Sequence, residues 1–273
     1  MIFWREAKQM SYQEKSYWDD RSSKSYTYKK ERFYTITPVP YYYKRRQIIL
    51  KLINKCIVKN GAKRICDYGC GDGEYLRKLY TDVGQKGIVW RGYDISEGMI
   101  RKAREICEEC TDIEFGIAEK GIPEGVCCDL IYSVAVLAHI KDSVCREIMY
   151  NFAEHISEGG RIILCEQVGK VRAEGETYVR RTVDEYIDMV KSAGLCVEKH
   201  DLIDFWAHRL FFERRIAKKM YKHMKSENDF DRRIEANTHV GFRMLSALFT
   251  FISKPHLFKR GGGWGYAFLV IKK

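Results

Sequence analysis

The run Asp67-Tyr68-Gly69-Cys70-Gly71-Asp72-Gly73 sets three glycines at alternate positions behind an acid, directly after the apolar stretch Arg64–Tyr68. Glycine lets a backbone approach a ligand that a Cβ would exclude. Dinucleotide-binding turns are also glycine-rich, but Gly-x-Gly-x-x-Gly would need a third glycine where Glu74 or Leu76 stands. Asp94 ends the next apolar run, 21 positions after Gly73. A carboxylate there accepts hydrogen bonds from two vicinal ribose hydroxyls, worth about 1.5–3 kcal/mol each. Its bland use is to cap the helix that follows; the glycine turn at this distance makes ribose the expectation.

Two further residues have proton chemistry. His139, in Leu137-Ala138-His139-Ile140, follows the fourth apolar run, and histidine titrates near neutrality. It is the candidate general base for a hydroxyl acceptor, against a structural histidine bonded to nearby backbone. Glu166 ends the fifth run, facing an acceptor pocket or capping the next segment. Tyr178, Arg180 and Arg181 sit in a polar loop, where pairing on the surface is the favoured reading over binding an anionic or sugar substrate.

The elements that must position these groups alternate. Strands are expected at Arg64–Tyr68, Gly87–Ile95, Asp112–Ile117, Cys128–Val134, Arg161–Gln167 and Leu195–Ile203. Helices are expected at Tyr43–Val58, Tyr75–Tyr80, Met99–Ile106, Val144–Ile156 and Val183–Ala193. This rhythm implies an α/β fold, doubly wound around a mostly parallel sheet, with ligands at the carboxyl ends of the strands. Pro38 and Pro40 break any helix before Tyr43. The expected division is a tyrosine-rich segment and helix over 1–60, an α/β core over 61–203, a basic helical insertion over 204–260 and a final strand within 261–273.

The 273 residues are 45% apolar, enough for a sizeable core, and the formal net charge is +11. That charge attracts phosphates, anionic lipid or acidic glycans without choosing between them. Cys66, Cys70, Cys128, Cys165 and Cys196 fall in apolar runs, which suggests buried thiols and a reducing, cytoplasmic setting. The N-terminus shows no export signal and no run approaches 18 apolar residues. Neither Cys107/Cys110 nor Cys127/Cys128 has a second ligand pair at zinc spacing, so no metal is expected.

The glycine turn with its spaced acid, the turn Ile117-Ala118-Glu119 and the strand Asp129–Val134 together resemble the class I S-adenosylmethionine-dependent methyltransferases, over roughly residues 60–203 plus the last strand. The resemblance implies a Rossmann-like sheet of seven strands with the last one antiparallel. It implies S-adenosyl-L-methionine as cofactor, with Asp67, Gly69, Gly71 and Gly73 around its methionine part and Asp94 on the ribose. Ile95 would lie against the adenine, Ala118 and Glu119 at its edge, and Ser133 and Val134 beneath the sulfonium. Tyr17-Trp18 resembles an aromatic pair that closes over the cofactor, with a packed aromatic hook as the other reading.

The acceptor is less defined. Ser133-Val134-Ala135-Val136 is not the Asn/Asp-Pro-Pro-Tyr/Phe of adenine and glutamine amino-methyltransferases. The segment from Glu166 to Gly194 resembles bacterial methyltransferases of glycan and small-metabolite pathways. A small molecule or glycan is therefore the expected partner, a sugar hydroxyl first. Methylation of RNA, which the net charge favours but no appended RNA-binding fold supports, or of protein amines, and a non-catalytic cofactor-binding subunit, are the alternatives. The insertion carries Arg209, Arg214, Arg215, Lys218, Lys219, Lys222 and Lys225 against Glu213. It reads as an acceptor lid with peripheral contact to the anionic inner membrane face, or as helices packed on the sheet with a solvated basic face. Oligomeric state is not legible.

Overall fold

The computed structural model describes residues 15–23, 26–28, 31–33, 39–84, 87–119, 121–175, 178–204, 208–225, 229–252, 256–258 and 265–273. The core strands are β1 (Arg64–Tyr68), β2 (Val89–Asp94), β3 (Ile113–Ile117), β4 (Cys128–Val134), β5 (Ile156–Val168), β6 (Cys196–Asp204) and β7 (Gly265–Lys272). They lie in the order β6-β7-β5-β4-β1-β2-β3, with the short strand His256–Phe258 on the outer edge of β6. Pairing is parallel from β5 through β4 and β1 to β3, while β7 runs antiparallel between β5 and β6. The strand order reverses between β1 and β4, which opens a crevice at their carboxyl ends.

The helices are α1 (Lys15–Ser23), α2 (Val39–Asn60), α3 (Glu74–Val83), α4 (Glu97–Ile106), α5 (Asp142–His155), α6 (Val183–Ser192), α7 (Lys218–Tyr221), α8 (Asp229–Thr238) and α9 (Val240–Ile252). Side chains alternate across the buried strands. Ile131 joins one core layer with Phe152 of α5 and Tyr186 of α6; Leu130 and Tyr132 join the other with Ile53 of α2 and Leu76 of α3.

Three expectations are corrected. Pro40 does not break the helix, which begins at Val39, because the first turn tolerates a missing N–H. β5 starts at Ile156, not Arg161: the stretch through Gly159 (φ 74) belongs to the strand and bulges out of register with β4. Cys196 is exposed, unlike buried Cys66, Cys70, Cys128 and Cys165.

The insertion begins as a π-helix, His208–Ala217, and continues through α7 to α9. It gathers its own small cluster around Phe212, Tyr221 and Phe242 and rests on α2 through α9. Along α9, Val240, Met244, Leu248, Phe251 and Ile252 are exposed, so this apolar stripe does not face the sheet.

Candidate active site

The glycine turn leaves β1 with Gly69, Gly71 and Gly73 at φ 75, 54 and 76, a region in which glycine alone is unstrained. A Cβ at Gly69 would stand 2.3 Å from Val136 Cγ2, and one at Gly73 3.1 Å from the Ala103 Cβ of α4. At Gly71 the space within 4 Å is open. The turn is thus wedged on two sides and open on the third.

The Asp94 carboxylate joins this turn to the next helix. Its Oδ2 accepts from Gly71 N–H at 2.9 Å and its Oδ1 from Ser96 N–H at 3.0 Å. Burial raises its pKa, and the N–H groups of Ser96, Gly71 and Ile95 oppose that. A carboxylate offers about four lone-pair sites, so two bonds leave Asp94 with acceptor capacity toward the crevice. The capping role leaves room for a ligand role.

Trp18, Gly69, Gly71, Asp94, Ile95, Ala118, Glu119, Val134 and His139 line a single cleft. Tyr68, Met99, Ala135, Val136 and Ile140 complete its wall. Of these, Met99 lies in the first turn of the helix after Asp94, a position that strand-then-helix logic could have flagged. Ala135 and Val136 depend on a backbone turn without a sequence signal: Ala135, though not glycine, sits at φ 58°.

Five expected site residues are not on the cleft surface. Tyr17 packs edge-on against Trp18 at 5.1 Å. Gly73 serves the contact with α4. Ser133 is fully buried, because strand alternation turns it away when Val134 faces the cleft. Asp67 is buried beneath the turn with Oδ2 lacking a hydrogen-bond partner; burial, with Asp94 and Asp72 nearby, pushes its pKa up to about 8.

Glu166, the fifth, is 0% exposed and faces neither an acceptor pocket nor the following segment. Its Oε1 accepts from Val136 and Leu137 N–H, both at 3.0 Å, and its Oε2 from Ala138 N–H at 3.2 Å. Burial pushes it up to about 7 against the pull of these three N–H groups. From the other side Arg181 Nη1 donates to Leu137 O at 2.7 Å and Nη2 to Ile140 O at 2.6 Å, while Arg181 pairs with Asp142 at 2.6 Å. Arg181 is 0% exposed, which corrects the surface reading. A buried acid and a buried base therefore clamp the one-turn helix Leu137–His139. His139 emerges half-buried at its end, edge-on to Trp18 at 5.1 Å.

Helix α1 brings Trp18 to the cleft. Asp19 Oδ1 accepts from Ser96 Oγ at 2.5 Å and from Gly98 N–H at 3.3 Å, capping α4 from outside. A Cβ at Gly98 would stand 1.9 Å from Ser22 Oγ, so the glycine permits this docking.

A doubly wound sheet with a reversed last strand, a glycine turn, a strand-end acid and an apolar cleft at the switch point define a Rossmann-like fold built to hold a nucleoside-bearing ligand. A family profile described as a methyltransferase domain matches residues 41–219, and the chain belongs to that family. The family is the class I type, whose methyl donor is S-adenosyl-L-methionine. The chain is 32% identical over 99 residues to trans-aconitate 2-methyltransferase of Afipia carboxidovorans, covering 36% of each chain. It spans about a third of the length of the curated relatives it matches, 36% and 33%. Its fold is similar to an O-methyltransferase of a trans-AT PKS multienzyme of Brevibacillus brevis in complex with S-adenosyl-L-homocysteine, with TM-score 0.60, 14% identity and coverage of 87% and 77%. It is also similar to the [4+2]-cyclase SpnF, with TM-score 0.54, 15% identity and coverage of 82% and 80%.

Proposed function

We propose that the protein transfers the methyl group of S-adenosyl-L-methionine to an oxygen of a small-molecule acceptor, a sugar hydroxyl first. The observation that carries this is the convergence of Asp94, the open face of Gly71 and His139 on one cleft. The residues fit the cofactor's chemistry: Asp94 has spare acceptor capacity for ribose, Ile95 and Ala118 offer an apolar wall to adenine, and Asp67, beneath the glycine turn, adds a charge that favours an ammonium nearby. Bound there, the cofactor supplies an electrophilic methyl on a sulfonium. His139 would accept the proton of the acceptor hydroxyl, and Gly69, Val134 and Val136 would bound the space in which that oxygen meets the donor methyl.

Labelled methyl donor incubated with fractionated cell extract tests this reading. We expect label in a small-molecule pool, and loss of tenfold or more in cofactor affinity in Asp94→Ala, from about 1.5–3 kcal/mol of lost charge-assisted bonding. Label in RNA or protein instead would overturn the acceptor class.

Asp67 gives the binding a pH dependence. Its carboxyl is raised from 3.8 to about 8, so folding favours the protonated acid and its stabilising share is lost as pH rises through 8. Holding an ammonium needs the ionised form. S-adenosyl-L-homocysteine should therefore bind roughly tenfold tighter at pH 8.5 than at pH 6.5, and Asp67→Asn should flatten that slope. Calorimetry showing equal wild-type affinities at both pH values would remove Asp67 from the ammonium site.

Residues 204–260 act as the acceptor lid, and the exposed stripe of α9 with the basic residues of the insertion contacts the anionic membrane face. Among the described residues no helix is long and apolar enough to cross a membrane. Basic side chains near an anionic surface contribute about 1 kcal/mol each. Flotation should carry the protein with anionic vesicles at low salt and not with neutral ones; absence from both fractions would sink the membrane contact.

A further inference from the structure

The ligand end of the sheet carries a buried cation that the cofactor cleft does not account for. Arg45 lies near the start of α2 and is 7% exposed. Its guanidinium carbon stands 4.1 Å from the centre of the Tyr266 ring and 5.5 Å from those of Tyr41 and Tyr42. Tyr75 is close enough to act on its charge. Among the described residues no carboxylate pairs with Arg45, and its Nε has no hydrogen-bond partner; next to it, Arg46 pairs with Glu74 at 2.7 Å. Ring faces recover only part of what it costs to bury a guanidinium without an anion.

The surroundings suit an oxyanion. Burial raises the four phenols, Tyr42 to about 12, so all four stay protonated as O–H donors. Each is half-buried, and so reachable. Tyr75 is the second residue of α3, two positions after Gly73, and Tyr266 pairs with Gln167 near the end of β5. Val134, which lines the cofactor cleft, is the register partner of Cys165 in β5, whose thiol lies close enough to Arg45 to feel its charge, so the two compartments adjoin. On the far side the insertion's His208 stacks on Tyr41 at 4.5 Å with Nε2 3.0 Å from Ser246 Oγ. Burial pushes His208 down to about 3, so it adds no competing cation.

We propose that Arg45 and its tyrosines form an acceptor subsite for an oxyanion, so that the methyl acceptor carries a carboxylate or phosphate besides its nucleophilic oxygen. This rests on the methyltransferase reading above. Arg45 anchors the acceptor next to the cofactor cleft, into which the acceptor's nucleophile is presented.

The test is titration of the full chain, saturated with S-adenosyl-L-homocysteine, with citrate, inorganic phosphate and glucose 6-phosphate against chloride at matched ionic strength. We expect at least one oxyanion to bind the saturated wild type. Arg45→Gln should weaken that binding tenfold or more and keep S-adenosyl-L-homocysteine affinity within twofold. Should Arg45→Gln fail to fold, Tyr266→Phe, which keeps the ring and removes one donor, should weaken the oxyanion several-fold; unchanged binding there would overturn the subsite. It is also overturned if no oxyanion binds the saturated wild type. A tenfold loss of S-adenosyl-L-homocysteine affinity in Arg45→Gln would overturn it too, assigning the guanidinium to the cofactor's own carboxylate. Wild-type protein that binds no S-adenosyl-L-homocysteine would instead remove the cofactor reading on which the subsite rests.

Discussion

His139→Ala should lose about 10²–10⁴-fold in turnover, the usual cost of removing a general base from an oxygen nucleophile, and should keep cofactor affinity within about tenfold. The second figure comes from the geometry. His139 meets Trp18 edge-on at 5.1 Å, and such a contact is worth about 0.5–1.5 kcal/mol. The polar anchors proposed for the cofactor, Asp94 and the glycine turn, lie on other elements and survive the substitution. The measurement pairs calorimetry of S-adenosyl-L-homocysteine with initial rates of labelled methyl incorporation across pH. At saturating cofactor, where the Asp67 dependence of binding drops out, wild-type rates should rise with pH as the general base becomes free to accept a proton, and that limb should disappear in the variant. A variant that turns over within a few-fold of wild type with the limb intact would make His139 structural, or the acceptor an amine that needs no base.

What the sequence disclosed follows the locality of the interactions. The glycine turn and Asp94 were legible because their chemistry is written in residue type: glycine takes φ between 54° and 76° without strain, and an acid at a strand end accepts from the backbone N–H groups beside it. The alternation of strands and helices was legible from apolar periodicity, and the reversed β7 followed from the resemblance. Roles set by contacts between distant segments were not. Glu166 lies 28 to 30 positions from the N–H groups it satisfies, and Arg181 lies 41 and 44 from its carbonyl partners. An acid at a strand end and arginines in a polar loop have the same local signature whether they face a pocket, solvent or a buried turn. Arg45 was hidden similarly, because its neighbours Tyr75 and Tyr266 belong to elements far along the chain.

The clamp on the Leu137–His139 turn makes the second large prediction. Glu166→Ala leaves three buried N–H groups unsatisfied and leaves Arg181 with the carbonyls and Asp142 alone. Breaking a buried, hydrogen-bonded charge in this way costs about 3–5 kcal/mol, which lowers the melting temperature by roughly 6–20 °C at the usual 2–4 °C per kcal/mol for a domain near this size. Glu166→Gln is the sharper test. Its carbonyl can keep the bonds from Val136 and Leu137, while its NH₂ meets the N–H of Ala138, donor against donor, for a smaller cost of about 1–3 kcal/mol. Measured at pH 8, where the carboxyl raised to about 7 is mostly ionised, the two variants should rank wild type, Gln, Ala in stability. Turnover should fall more steeply than stability predicts, because the same turn carries His139 and the Val136 wall that presses on Gly69. A positioning role also predicts that the pH limb of His139 persists in Glu166→Gln at a lower plateau, since the base remains but is displaced. If Glu166→Gln instead removes the limb and leaves melting temperature and cofactor affinity at wild-type values, the carboxylate itself carries the proton and the clamp reading falls.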